Sequence, residues 1–344
     1  MRAADAGGGA MTAVADQVQL DRNEALRGPP PGAVQRVRAA IARGHVYPHD
    51  ATAHATAAAA AHLGVDPAQL LLTAGVDEAS DLCILELGDP FTITPGFDGY
   101  GDRARALNHR ATVFALSAAH ALPRELLAAV TPERLVMLAS PNNPTAGVFA
   151  PPSLRALLGR GAHLLLDETY ADFCAHAPVL DWLQEHPRLL VFRSFSKAYG
   201  LAGLRIGCLI GEPDLIARLR ARQAYLTVSG LAAEALLGAL ATDPGFPARH
   251  AREVMALREE LIARLRALAL FARVHDSEAN FVFATCRSPS EAAAIRAALA
   301  GRGVIVASTA PLGAPAGLRI GVGLPADADR LIRELKSIEE LVPA

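Results

Sequence analysis

The sequence predicts an α/β protein: a large domain whose mostly parallel central sheet is flanked by helices, followed by a smaller C-terminal α+β domain. Three observations carry this expectation. From about Pro30 onward, helix-like and strand-like segments alternate, the pattern of parallel-sheet proteins. The runs RLVMLAS (134–140), AHLLLDE (162–168) and RLLVFRS (188–194) are too short and too uniformly apolar for amphipathic helices, so they read as strands buried on both faces. After Ala198 the pattern turns to long amphipathic helices separated by short strand-like runs, the mark of a second unit.

Taken in order, residues 1–29 read as a flexible leader and N-terminal arm, with the glycines at 7–9 as linker composition. Residues 51–63 are Ala-rich and stop at Gly64, a helix closed by glycine. LLLT (70–73) is a short strand. The three buried strands follow, and each runs into a polar cluster: SPNNPT (140–145), DETY (167–170) and SFSK (194–197). Ligands of open α/β sheets bind outside the carboxyl ends of the strands, so the three clusters converge on one crevice. Helices are then expected at 213–222 and 249–270, a strand at NFVFATC (280–286), a helix at 289–302, strands at GVIVAS (303–308) and LRIGVG (318–323), and a last helix at 326–341. The large domain is placed at 30–250 and the small one at 251–344, with the boundary inside the long helix.

Composition narrows the function. The 344 residues carry 33 Lys+Arg against 35 Asp+Glu, a formal net charge of -2, which lacks the basic surplus of a nucleic-acid binder. Apolar stretches are broken well before the roughly 20 residues a membrane span needs. No secretory leader is evident, which places the protein in the cytoplasm. The four cysteines and 11 histidines are scattered, without the spacings of a disulfide framework or a metal site.

The polar clusters hold the chemistry. Lys197 ends a buried strand, and partial desolvation would make its amine a nucleophile toward an aldehyde; taken alone, a lysine there is more often a solvated strand-end charge. Asp167 closes an apolar strand, where an unpaired carboxylate is costly and calls for a cation such as a pyridinium; its plainer role is a turn cap. Asn143, in a Pro-Asn-Asn-Pro turn, offers an amide to a phenolate oxygen or simply fits the turn. Tyr170 offers a hydroxyl to the same oxygen.

Together, SPNNPTAG (140–147), LLLDETY (164–170) and SFSKAYGLAGLRIG (194–207) resemble the three signature segments of fold-type I, pyridoxal-phosphate-dependent class I/II aminotransferases, which have the aspartate aminotransferase fold. The resemblance spans nearly the whole chain and is greatest to the histidinol-phosphate aminotransferase branch, through LDRNEALRGPPP (20–31), VYPH (46–49), HLGVDPAQLLLTAGVDEAS (62–80), SEANFVF (277–283), GVIV (303–306) and GLRIGVG (317–323). It implies that Lys197 binds pyridoxal 5'-phosphate covalently and shuttles a proton. Asp167 would pair with the ring nitrogen, and Asn143 and Tyr170 would hold the ring oxygen. The cofactor phosphate would rest on the backbone amides of Val76 and Asp77 at a helix N-terminus, helped by Ser194, Ser196 and Arg205. Phe97 would stack on the ring where the family usually has Tyr. Arg319 would clamp the substrate carboxylate, and Asn23 of the arm is a further substrate-binding candidate. Tyr47 would reach the phosphate site of a second subunit, which implies a homodimer.

Departures from the branch bear on substrate. Ala307 stands where that branch has an Arg that helps to bind the substrate phosphate, Ala146 replaces a Gly, and NEALRGP (23–29) replaces Asn-Glu-Asn-Pro followed by Gly-Pro. The expectation is therefore transfer of an α-amino group between an L-amino acid and a 2-oxo acid, with histidinol phosphate disfavoured by Ala307. The alternatives are elimination, replacement, cyclisation or decarboxylation on the same cofactor, and a binding or regulatory module that keeps the fold without catalysis.

Overall fold

The computed structural model describes residues 17–175 and 179–341. Residues 1–16 of the expected leader, including the glycines at 7–9, lie outside the described residues. The strands in chain order are β1 (Val18–Leu20), β2 (Leu70–Thr73), β3 (Phe91–Thr94), β4 (Thr112–Ala115), β5 (Leu135–Ala139), β6 (His163–Asp167), β7 (Leu189–Ser194), β8 (Gly207–Ile210), β9 (Arg273–Val274), β10 (Phe281–Thr285), β11 (Val304–Ser308) and β12 (Gly317–Gly321).

Seven strands form the large sheet in the order β2-β8-β7-β6-β5-β3-β4. All neighbours pair in parallel except β8, which runs antiparallel between β2 and β7. Successive side chains of a strand point to opposite faces, and here both faces are cores. Val136, Leu138, Leu164, Leu166 and Val191 pack with Ala59 of the helix His49–Leu63 and Leu236 of the helix Gly230–Thr242. Met137, Leu165, Leu190 and Phe192 pack with Leu82 of the helix Val76–Leu87 and Leu219 of the helix Pro213–Arg222. Burial on both sides is why these strands read as unbroken apolar runs. The helix 49–63 stops at Gly64 in the left-handed region, φ 70°, as its glycine predicts.

Five strands, β1-β11-β12-β10-β9, form the second sheet. Its core holds Val282, Val304, Val306, Leu318 and Ile320, covered by Ile295 and Leu299 of the helix Pro289–Gly301 and by Leu331 and Leu335 of the helix Pro325–Leu341. The helix Phe246–Arg266 serves both units: Ala251 and Val254 pack in the large core, and Leu261, Ile262 and Leu265 in the small one. The arm does not stand apart. β1 pairs in parallel with β11, Val18 against Val304 through Leu20 against Val306, so residues 18–20 complete the small sheet from the other end of the chain.

Candidate active site

Five elements deliver their ends to one edge of the large sheet: β2 leads to Gly75, β3 to Phe97, β5 to Asn143, β6 to Asp167, and β7 to Lys197. A cavity of about 190 Å3 lies there. Val76, Asp77, Phe97, Asn143 and Asp167 line one part of it, and Tyr170, Ser194, Ser196, Lys197 and Arg205 the rest. Ten sequence-predicted residues thus share one space. Arg319 and Asn23 sit one contact away, through Asn143 and Tyr170. Tyr47 is on the surface, 74% exposed.

Strand parity decides which carboxylate faces the cavity. Asp167 has the parity of Leu165 and turns to the side of the helix 76–87, whereas Glu168 turns to the opposite core and meets Arg193. Asp167 is 4% exposed. Its Oδ1 accepts hydrogen bonds from the Thr169 amide (2.9 Å) and hydroxyl (2.6 Å), and its Oδ2 from the Tyr100 hydroxyl (2.9 Å). Burial pushes its pKa up against these donors, since a charge in a low dielectric is disfavoured. Among the described residues no cation pairs with it, so the floor of the cavity is a carboxylate that still lacks a positive partner.

Lys197 meets the same space half-buried. Its Nζ donates to the Arg22 carbonyl at 3.0 Å. Burial, with the positive charges of Arg319 and Arg205, lowers its pKa to about 8 against the opposing pull of Glu24. An amine that titrates near neutrality offers a nucleophilic form that an ordinary lysine withholds.

The anion-binding corner is built from backbone. Gly75 has φ +90°, and a Cβ there would lie 2.7 Å from Arg205 Nη2, so only glycine lets the guanidinium approach the start of the helix 76–87. That helix opens without a side-chain cap, which leaves the amides of Val76 and Asp77 facing the cavity with the positive end of the helix dipole. Arg205 reaches the Asp77 carboxylate at 3.6 Å with both side chains about half exposed, a weak surface pair that an arriving dianion can displace. Asn143 Oδ1 accepts from Arg319 Nη1 at 2.8 Å, and its Nδ2 has no partner among the described residues. Tyr170 Oη accepts from Asn23 Nδ2 at 3.1 Å, which frees the tyrosine's own proton for another acceptor.

A buried carboxylate wanting a cation, an amine wanting an electrophile, a helix N-terminus beside an arginine, and an aromatic wall at Phe97 fit a flat, phosphorylated pyridinium aldehyde. The model of the family described as aminotransferase class I and II matches residues 15–335. The chain belongs to that family.

A histidinol-phosphate aminotransferase from Symbiobacterium thermophilum is 35% identical over 337 residues, 94% of this chain and 90% of that protein. Among solved structures, a histidinol-phosphate aminotransferase from Sinorhizobium meliloti in complex with pyridoxal-5'-phosphate superposes with TM-score 0.83 at 26% identity, over 95% of this chain and 92% of that one. An N-succinyldiaminopimelate aminotransferase from Mycobacterium tuberculosis does so with TM-score 0.82 at 26% identity, over 94% and 93%. All three relatives are aminotransferases, which favours transfer over elimination or decarboxylation for this chain.

Sequence reasoning missed several parts of the candidate site. Tyr100 and Thr169, the donors to Asp167, stand inside the segments already singled out, TPGFDGY and DETY; the signal was the demand of a buried carboxylate for hydroxyl donors. The Arg22 and Asp21 carbonyls carry no side-chain signal. Ala307 pairs in register with Arg319 across β11 and β12, so the position expected to differ from the branch stands beside that arginine and holds only a methyl group.

Proposed function

We propose that the protein moves an α-amino group from an L-amino acid to a 2-oxo acid with pyridoxal 5'-phosphate held in the 190 Å3 cavity. The observation that carries the residue roles is that Asp167, with no cation partner among the described residues, and Lys197, with a depressed pKa, face one cavity from adjacent strands. When bound, the cofactor supplies an aldehyde for the substrate amine and a ring that accepts electrons. Asp167 keeps the ring nitrogen protonated. Tyr170 and the free Asn143 amide donate to the ring oxygen, while the Val76 and Asp77 amides with Arg205, Ser194 and Ser196 hold the phosphate. Lys197 carries a proton to and from the substrate α-carbon. Arg319, aimed by Asn143, takes the α-carboxylate in place of the Asp21 carbonyl it now meets at 2.6 Å.

The donor is an amino acid without a phosphate. The relatives named for histidinol phosphate favour the amino-transfer chemistry, and Ala307 removes a guanidinium that would make a charge-assisted bond of about 1.5–3 kcal/mol to such a group. The protein acts as a homodimer in the cytoplasm. Support for the dimer comes from Tyr47 and Tyr225, 74% and 75% exposed with ring centroids 6.4 Å apart, a surface aromatic pair of the kind an interface covers. The compartment reading rests on the wide spacing of the four cysteines, which lacks the pattern of a disulfide framework.

A screen of single amino acids tests the reaction. The wild type loaded with the cofactor is expected to release one equivalent of 2-oxo acid per subunit with no acceptor present, and Lys197→Ala none. Release of ammonia, or turnover without an acceptor, would overturn the transfer reading.

A further inference from the structure

Asn280 immediately precedes β10 in the small unit, outside every segment that carries a reacting group, and is 2% exposed. Its Nδ2 donates to the Asn23 carbonyl at 2.9 Å. Its own carbonyl accepts from the Val322 amide at 3.0 Å, just past the strand of Arg319. Asn23, 3% exposed, has φ +52°, a left-handed turn that asparagine tolerates better than most residues. With its carbonyl fixed on Asn280, the side chain swings to Tyr170 and donates at 3.1 Å. The two residues before it are placed by the same turn: the Arg22 carbonyl on Lys197 and the Asp21 carbonyl on Arg319. Three successive residues of the arm thus touch three different groups of the site, and Asn280 is the buried side chain that holds their backbone.

We propose that Asn280 is a positioning residue for the transfer reaction, acting through Asn23 on the Tyr170 hydroxyl. The proposal rests on the reading of the cavity as the cofactor pocket. By donating to the tyrosine oxygen, Asn23 occupies a lone pair and turns the phenolic proton into the cavity, where the ring oxygen accepts it. Without Asn280 the turn is unpinned and that orientation is lost, although Tyr170 itself remains in place against Phe281, with ring centroids 5.1 Å apart.

The test is a double-mutant cycle on the full chain. Asn23→Gly keeps the left-handed backbone and removes the donor to Tyr170; Asn280→Leu keeps a similar volume and removes the donor to Asn23. Equilibrium dialysis of the apo-protein reads the dissociation constant for pyridoxal 5'-phosphate, and steady-state kinetics read kcat and KM for the best donor. Each single variant is expected to weaken cofactor binding and lower kcat by about tenfold, with KM for the donor little changed, and the double variant to be no worse than the weaker single one. Losses that multiply to about a hundredfold in the double variant would make Asn280 a packing residue with no path through Asn23, and overturn the proposal. Wild-type affinity and kcat in Asn280→Leu would overturn it too. If Asn280→Leu does not fold, Asn280→Ala, which also removes the donor to Asn23, serves as the second variant under the same criteria. Wild-type protein that fails to bind the cofactor would instead remove the functional reading on which the proposal stands.

Discussion

Tyr100 donates a 2.9 Å hydrogen bond to Asp167 Oδ2, from a helix that packs beneath the sheet edge where the aspartate ends its strand. The carboxylate at the bottom of the cavity is therefore held by hydroxyls and an amide, with its remaining demand for positive charge directed upward. Tyr100→Phe is expected to cost the folded apo-protein about 1–3 kcal/mol, measured by urea unfolding. The same change should weaken cofactor binding several-fold, because the carboxylate loses a donor that holds its orientation.

Asp167 also makes stability depend on pH in a stated direction. Its folded pKa is raised, chiefly by burial, so the folded apo-protein favours the protonated acid. That contribution is present below the unfolded pKa and is lost as pH rises through the folded one. Asp167→Asn removes the titration. The apo-variant is expected to gain stability relative to wild type on going from about pH 4 to about pH 7, read from urea midpoints at the two values. An unchanged difference would mean that the carboxylate is not desolvated.

Lys197 should react at a pH where an ordinary lysine amine is still protonated. Its pKa of about 8 reflects burial first and then the positive charge of Arg319. Labelling of the apo-protein with an amine-specific anhydride, followed by mass spectrometry of the peptide with residue 197, should show a midpoint near that value. Arg319→Ala removes a like charge, so the midpoint is expected to move upward.

Ala307 is the position that tests the substrate proposal. It faces Arg319 directly across two antiparallel strands, and side chains at such paired positions stand on the same face. Ala307→Arg is expected to raise kcat/KM for histidinol phosphate relative to a neutral amino acid by about tenfold or more. Equal effects on both donors would show that the residue is remote from the substrate's distal group.

The exposed pair Tyr47 and Tyr225, with ring centroids 6.4 Å apart, tests the assembly. Tyr47→Asp with Tyr225→Asp should convert a dimer to a monomer in light scattering and weaken cofactor binding at the same time. Loss of assembly with full affinity would separate Tyr47 from the phosphate site.

How much of this was legible depended on whether the signal was local. β5, β6 and β7 were found within one residue at each end, because burial on both faces forces continuous apolar runs followed by polar residues at the ligand edge. The edge strand β4, with Thr112, Val113 and Ala115 exposed, has no such run. The helix Gly230–Thr242 escaped because it is apolar on nearly all sides; Gly238 lies so near Gly32 that a Cβ would come 2.3 Å from the Gly32 carbonyl. In the site, Lys197, Asp167, Asn143 and Arg205 were readable from motif spacing. The arm's role was not, since its contacts with Lys197 and Arg319 use backbone carbonyls, which every residue type possesses.

The pairing of β1 with β11 has a consequence for how the enzyme is made. Residues 18–20 are synthesised before any strand of the large sheet, yet their partners at 304–306 appear only after all of that sheet has been made. Such a long-range pairing carries a large loop-closure cost and forms late. The carbonyls that touch Lys197 and Arg319 follow β1 immediately, so they reach their places only when the last strands have been added. A chain interrupted before β11 can build the strands that line the candidate cavity but cannot draw the arm across it, so closure of the candidate site waits on the synthesis of a strand more than 280 residues away.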